Sequence, residues 1–489
     1  MANNSTTRAK ASKNIRSPTP QRRTKVTPRK KIAGRPKGSG SRRPTLSKKM
    51  ATARENKENK RAGRSLKTLK KHALSLLKHS EVEKLARECG FYQRTPRAIT
   101  AFDFALCCAM AAMIEGKRGF ASVWRLLAAA AGVKVARSAV TQRFGDGSAQ
   151  LMEELFFRAV KKLPKMQTPE MLDKLKRFQE VLAYDGSVVS LSPLMKKLFP
   201  ATRTNSVAAA GKVHAIADLV SRRIVDVELT GERHSELDVV RTRPIKPGIL
   251  YMGDLGYTHY EYFAAIKMAG SDLLWRLKDN ANPKIVFVRH GIHAPVDVAK
   301  REYGLNDPRI KHTKCHDTFD LDARFETGAG PVVLRVIGRY NPETKKYHRY
   351  VTTLGAEEFN PNELASLYTL RWVIELLFKL LKSSCHLDHV DTSDPAALRT
   401  HLYASLLGAT ILSSLCYAAA SVHGLHPTEI SVLVAGIAAP ILVMPLMFLW
   451  CRRKLSAEEM AATIFRVLAI GCRDQNPNRT KAKWGVLGF

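Results

Sequence analysis

Hydrophobic positions change their spacing several times along this chain, and each change predicts a different kind of element. From about residue 72 to 175 the apolar residues recur at helical spacing, and Ala105 to Ile114 is apolar on every side. Short apolar runs follow at 181–184, 213–217, 224–229 and 249–252, alternating with helical stretches, which predicts an α/β sheet. Between 278 and 352 the pattern turns to β segments at 284–289, 332–339 and 349–354, the last two joined through Asn341-Pro342-Glu343-Thr344 as a hairpin. This stretch reads as a β-rich insertion that splits the α/β domain. From about 395 the chain is helical again to its end. Ile430 to Cys451 is 22 residues without a charge, long enough to cross a membrane, but Pro440 and Pro445 inside it predict a buried pair of short helices instead.

One predicted helix, Tyr368 to Leu381, carries an unusual polar stripe. Tyr368, Arg371, Glu375 and, just beyond, Lys382 fall within ~60° of one another at ~100° per residue. Leu367, Leu370, Val373, Ile374, Leu376, Leu377, Leu380 and Leu381 leave almost no other polar side. An Arg371–Glu375 pair on a solvated face is the simpler explanation of such spacing, but the apolar surroundings argue against a solvated face. A tyrosine, two cations and a carboxylate suit a site for phosphate and a metal ion.

Charge strengthens the case for a polyanionic partner. The 489-residue chain has a formal net charge of +37, and residues 1 to 71 hold 24 Lys and Arg against only Glu55 and Glu58. That segment has too few large apolar residues to offset its ordering entropy and reads as a disordered basic arm. Within it, Gly34-Arg35-Pro36-Lys37-Gly38 resembles the core of an AT-hook, with Arg35 directed to a minor groove. Farther on, Ser122 to Leu127, a Gly132 turn and Arg137 to Phe144 have the form of a helix-turn-helix, with Arg137 and Arg143 as DNA contacts. The eight cysteines are scattered without a CxxC pair, as expected of buried thiols in a reducing cytoplasm.

Two aspartates close apolar strand-like runs: Asp185 after Val181 to Tyr184, followed by Gly186, and Asp254 after Ile249 to Met252 and Gly253. Each alone could be a turn-forming residue. Together with Glu375 they supply the hard oxygen donors that a Mg²⁺-dependent phosphoryl transfer site needs.

These residues resemble the signature of DDE-type bacterial insertion-sequence transposases, in particular the Tyr-Arg-Glu-Lys group known as insertion-sequence family four. Asp185-Gly186-Ser187 looks like the first-aspartate motif, Asp254-x-Gly256-Tyr257 like the second, and Tyr368 to Lys382 like the third-carboxylate region. Trp275-Arg276-Leu277-Lys278 is similar to a strand with a basic residue in the same group. The resemblance implies an RNase H-like α/β core interrupted by a β insertion and flanked by all-α N-terminal and C-terminal domains. It implies Asp185, Asp254 and Glu375 as catalytic metal ligands for Mg²⁺, with Mn²⁺ a substitute, and Tyr368, Arg371, Lys382 and Arg276 as DNA contacts.

The expected organisation is an arm at 1–71, a helical DNA-binding domain at 72–175, core at 176–278, insertion at 279–352, core again at 353–400, and a helical domain at 401–489. The expected activity is cleavage and joining of element ends by a homodimer in a synaptic complex on double-stranded DNA. Such an enzyme would work in the cytoplasm on the nucleoid, away from membranes. An RNase H-like nuclease and an inactive DNA-binding derivative are the alternatives.

Overall fold

The computed structural model describes residues 64–469, apart from 95–97, 115–118, 164–173, 203–206, 221–222, 294–301, 313–316, 427–428, 451–456 and 467. The AT-hook-like segment with Arg35 lies outside the described residues, as does most of the basic arm. The expected disordered arm does not reach residue 71: 64–72 are helical, and Leu66 and Leu69 are buried in the helical core, apolar anchors that the surrounding charge masks in the sequence.

After the helical stretch at 64–72 come α1 (His79–Glu88), α2 (Ala101–Ile114), α3 (Phe120–Ala129), α4 (Arg137–Thr141) and α5 (Asp146–Lys162). Helix α2 is apolar all round and is buried accordingly. Helix α5 is amphipathic, burying Leu151, Met152, Leu155, Phe156, Ala159 and Val160 along one stripe. The expected second helix of a helix-turn-helix, Arg137 to Phe144, is only the five-residue α4. Phe144 ends it by turning inward onto Phe104 and Phe120, with ring centroids 5.0 and 4.7 Å away. One turn of helix is too short to lie along a major groove, so the recognition-helix reading does not hold. Arg137 remains exposed, whereas the Arg143 guanidinium stacks over the Phe91 ring at 5.6 Å.

The sheet begins with β1 (Glu180–Leu191), β2 (Ala209–Asp218) and β3 (Arg223–Gly231), paired antiparallel in sequence. After the short α6 (Glu236–Arg241), β4 (Ile249–Gly253) lies parallel to β1; α7 (Tyr260–Met268) then leads to β5 (Asp272–Arg276), parallel to β4. The remaining strands are β6 (Lys284–His290), β7 (Ile292–His293), β8 (Lys311–His312), β9 (Thr318–Phe325), β10 (Val332–Asn341) and β11 (Lys346–Thr352).

The nine-stranded order is β3-β2-β1-β4-β5-β11-β10-β9-β6, with β7 and β8 as a separate ribbon. The β-rich stretch therefore does not interrupt the sheet as a body of its own. It extends the sheet from β5, where β11 satisfies backbone groups that a free edge would leave open. Its strands are locked internally by a buried ion pair: Arg335 donates to Asp320 at 2.6 Å and to the Leu354 carbonyl at 3.0 Å.

Past β11 come α8 (Pro361–Tyr368), a 3₁₀ turn (Thr369–Arg371), α9 (Trp372–Ser383), α10 (Pro395–His423), α11 (Val432–Trp450) and α12 (Ala457–Arg466). The predicted single helix from Tyr368 to Leu381 is thus broken by a tight turn. At ~120° per residue instead of ~100°, that turn still leaves the four polar side chains on one side.

Asp394 caps α10 by accepting from the Ala397 amide at 2.9 Å, and Gly424 ends it at φ +66°. Among the described residues α10 is the one helix long and apolar enough to cross a membrane, and it is buried against α2 and α5. Ser148 on α5 meets Thr400 on α10 at 2.9 Å, and Tyr403 donates to Glu153 at 2.9 Å. The N-terminal and C-terminal helices consequently share one core and are not separate flanking domains, because α10 buries its apolar surface against α2 and α5. The proline-containing segment is also one helix, α11, and not two. Ala435, Ala439, Leu442, Val443, Leu446 and Met447 bury one side of it despite Pro440 and Pro445.

Side-chain alternation gives the sheet two faces. Val181, Ala183, Leu250, Met252 and Leu274 pack toward the helical layer, while Leu182, Tyr184, Tyr251, Leu273 and Trp275 pack toward α7.

Candidate active site

Counting by twos from Val181 and Ala183 puts Asp185 on the helical-layer face, and counting from Leu250 and Met252 puts Asp254 there too. Asp185 does not end its strand, as the sequence suggested; β1 continues to Leu191. What ends at Ala183 is its pairing with β4, so Asp185 stands where the parallel pair opens. Asp254 follows the last residue of β4 and caps a 3₁₀ turn, accepting from the Gly256 amide at 2.9 Å. Gly253 before it is required by close packing, since an added Cβ would come within 2.3 Å of the Trp275 ring.

Helix α9 crosses this opening and brings the third carboxylate, Glu375, in its first turn. Arg371 joins the groups: it donates to Asp185 at 2.9 Å and pairs with Glu375. Tyr368 donates to the Gly253 carbonyl at 3.2 Å, next to Asp254, and the Arg371 guanidinium lies over its ring at 5.6 Å. The Tyr368 ring meets Tyr350 at 5.0 Å, and Arg276 sits over Tyr350 at 5.3 Å. Asp185, Asp254, Glu375, Tyr368 and Arg371 are therefore brought together, with Arg276 one ring farther along. Lys382 is separate: half-buried at the far end of α9, it is lowered from the usual lysine range by burial, with Asp388 as the charge that opposes this.

Burial pushes Asp185 up to about 7; Arg371 opposes this, and Asp254 and Glu375 reinforce it. Burial would lower Arg371, but Tyr368, Asp185, Glu375 and Asp254 outweigh it and hold the guanidinium firmly charged. Burial raises Tyr368 above its ordinary range. Three carboxylates offer the hard oxygen donors that a divalent ion prefers, and the upward push on Asp185 is the response of a buried acid among other acids. The donor chemistry fits. The arrangement is nonetheless closed around Arg371, and among the described residues no three Asp, Glu, His or Cys side chains are grouped closely enough to hold a metal.

A supporting layer lay outside the sequence reading. Tyr257 and His214 meet at 3.0 Å, and His214 meets Thr230 at 2.9 Å; a Cβ on Gly186 would come within 2.7 Å of the Tyr257 hydroxyl. Burial, then Lys212, Arg243 and His234, push His214 down to about 4, so it is neutral near pH 7. Glu236, paired with Lys212 at 3.2 Å, fills the space that a Cβ on Gly256 would need. The glycines beside both aspartates were legible signals of crowding, but the crowding partners were not.

Residues 176–411 match the transposase DDE domain family. The chain is 22% identical over 370 residues to the transposase for insertion sequence element IS231F of Bacillus thuringiensis subsp. israelensis, covering 68% of this chain and 76% of that protein. It is 21% identical over 402 residues to the transposase for insertion sequence element IS1151 of Clostridium perfringens, covering 73% of this chain and 82% of that one. A solved piggyBac transposase synaptic complex with hairpin DNA aligns at TM-score 0.37 and 11% identity over 80% of this chain and 82% of its own, too distant a likeness to carry any inference. The protein is an enzyme that cleaves and transfers DNA strands. More narrowly, it is a DNA transposase, with a match to the transposase DDE domain over 176–411 and similarity to the transposases of insertion-sequence elements.

Proposed function

We propose that this transposase binds the terminal inverted repeats of its own element and catalyses Mg²⁺-dependent strand cleavage and strand transfer through Asp185, Asp254 and Glu375. The observation that carries this is the convergence of Asp185 and Glu375 on Arg371 where the β1–β4 pair opens, with Tyr368 tying the start of α9 to Gly253 beside Asp254. The sheet order β3-β2-β1-β4-β5, with an antiparallel half and a parallel half, supports an RNase H-like core. Tyr368, Arg371, Glu375 and Lys382 support placement in the Tyr-Arg-Glu-Lys group. We assign the core to residues 176–278 and 353–400, and the insertion to 279–352.

Asp185, Asp254 and Glu375 would hold Mg²⁺ or Mn²⁺, which on binding polarises phosphate oxygens and lowers the pKa of the attacking water or 3′-hydroxyl. The protein's own residues position the rest. Arg371 is aimed at the acids by its stack on Tyr368 and, once they are engaged elsewhere, is free to make a forked contact with a non-bridging phosphate oxygen pair. Tyr368 holds the start of α9 to the end of β4, so the contact point and the acids move together. Lys382 grips a phosphate farther along the strand. The enzyme acts as a homodimer on paired element ends in the cytoplasm, where the basic arm and exposed Arg137 add phosphate attraction.

The decisive assay incubates purified protein with labelled element ends and a plasmid target. Joined products accompany nicked ends if the protein is a transposase of this kind. Nicking without joining in Mg²⁺ and Mn²⁺ would reduce it to the nuclease alternative.

A further inference from the structure

The face that carries Asp185 and Asp254 does not stop at β4. Leu274 lies on it, so Arg276 does too; Arg276 is opposite Tyr350, and Tyr350 opposite Ile337. Stepping by twos toward the end of the β10–β11 hairpin, His348 and Lys346 follow on β11, with Arg339 and Asn341 facing them on β10. Tyr368 covers this face at Tyr350, and beyond that point Lys346 and Arg339 are exposed. A cleft of about 320 Å³ opens there, lined by Arg276, Asp279, Thr344, Lys346, Tyr347 and His348.

The cations on this strip differ from their neighbours. Arg289, Arg324 and Arg335 in the same β-rich stretch each close on a carboxylate, at 2.7, 3.0 and 2.6 Å. The Arg276 guanidinium instead donates to the Tyr350 hydroxyl and lies over its ring, and Arg276, Arg339 and Lys346 make no ion pair among the described residues. Asp279 is the one carboxylate lining the cleft. A row of uncompensated positive charge with tyrosines between, continuous with a phosphoryl-transfer site, is complementary to a nucleic-acid backbone.

We propose that Arg276, Arg339 and Lys346 form a phosphate track that holds the DNA backbone as it leaves the catalytic carboxylates. The proposal rests on the placement of the reacting phosphate at Asp185, Asp254 and Glu375. Tyr350 to Lys346 is four residues, ~13 Å at ~3.3 Å each. At ~3.4 Å per nucleotide the track itself spans about four steps, beginning where Tyr368 meets Tyr350.

The test uses full-length wild type and the Arg339→Gln/Lys346→Gln double variant, both sites being exposed, with matched thermal melts as the folding control. Each is bound, without divalent metal, to a duplex carrying the repeat that brackets the coding sequence, across a range of salt. The double variant should lower the log-log salt slope by about 1.8, about 0.9 for each contact removed. Phosphate-ethylation interference should show, in wild type, a run of about four sensitive phosphates near the cleavage point, lost in the variant while more distant ones persist. Unchanged interference near the cleavage point, or an unchanged slope, overturns the track. Wild-type protein with no footprint at the repeat end overturns the site assignment beneath it as well, a distinguishable result.

Discussion

Asp185→Asn should inactivate the enzyme yet stabilise the metal-free fold at neutral pH. The folded protein raises Asp185 from 3.8 to about 7, so it binds a proton there more tightly than the unfolded chain does. The stability associated with that proton is fully present below pH ~4 and is lost as pH rises through ~7. Asparagine stays neutral throughout and escapes this loss. With those two pKa values and ~1.4 kcal/mol per tenfold change, the advantage of asparagine should grow by about 2–3 kcal/mol between pH 5 and pH 8. Part of the absolute gain is offset, because Arg371 loses a charged acceptor worth ~1.5–3 kcal/mol. The pH-dependent difference survives that offset and is the quantity to measure. Thermal melts of both proteins in chelator, at half-unit intervals from pH 5 to 8, should show the variant gaining about 3–5 °C on wild type across the range. Added Mg²⁺ should narrow the gap at pH 8, since only wild type retains the full set of acids. A melting difference independent of pH would refute the account of Asp185 as a buried acid destabilised by its neighbours.

Arg371→Gln should bind Mn²⁺ more tightly than wild type in the absence of DNA, because the guanidinium no longer occupies the carboxylates, while cleavage falls; titration followed by electron paramagnetic resonance reads the first effect. Arg371→Lys should restore little cleavage, since a point charge cannot make the forked contact. Asp254→Ala and Glu375→Ala should each lose Mg²⁺-dependent cleavage by at least ~100-fold with duplex binding nearly unchanged, checked by gel shift beside the cleavage assay. Gly253→Ala should destabilise by about 3 kcal/mol, visible in a urea titration, because the new methyl would meet the buried Trp275 ring. Removing residues 1–63 takes away up to 18 net positive charges while sparing the buried Leu66 and Leu69, and should flatten the salt dependence of non-specific binding; within that arm, Arg35→Ala should weaken AT-rich duplex more than GC-rich duplex.

The acids were legible because their local contexts are strong. An apolar run closed by an aspartate with a glycine beside it is a short pattern readable without any knowledge of the partners of β1 or β4, and the stripe from Tyr368 to Lys382 depends only on helical periodicity. The errors came where distant chain segments decide the outcome. Phe144 ends α4 by packing on Phe104 and Phe120, which no local propensity encodes. Helix α11 runs through two prolines because burial of its inner side outweighs the lost hydrogen bonds. Strand β1 continues past Asp185 because β2 pairs with it as far as Leu191. His214 and Tyr350 reach the site through sheet register and Glu236 from the start of α6, and neither placement is visible in the one-dimensional pattern.

The join between β5 and β11 rests on three facing pairs, Leu274 with Thr352, Trp275 with Val351 and Arg276 with Tyr350, helped by the Thr352 hydroxyl on the Leu273 carbonyl at 2.6 Å. Residues 277–349 lie between those two stretches of chain, and Glu375 follows shortly after the second. The third acid therefore belongs, kinetically, to a late-forming segment: a long loop must close before it can meet Asp185. A ribosome-bound chain ending before residue 350 would carry both aspartates and no complete site. In the finished protein, opening of this short seam would pull α8, which packs on β9 and β10, and with it the Tyr368 hydroxyl, from the Gly253 carbonyl beside Asp254. Amide exchange at Thr353, whose N–H donates to Leu273 at 3.3 Å, would report the fraction of molecules that are folded but disarmed.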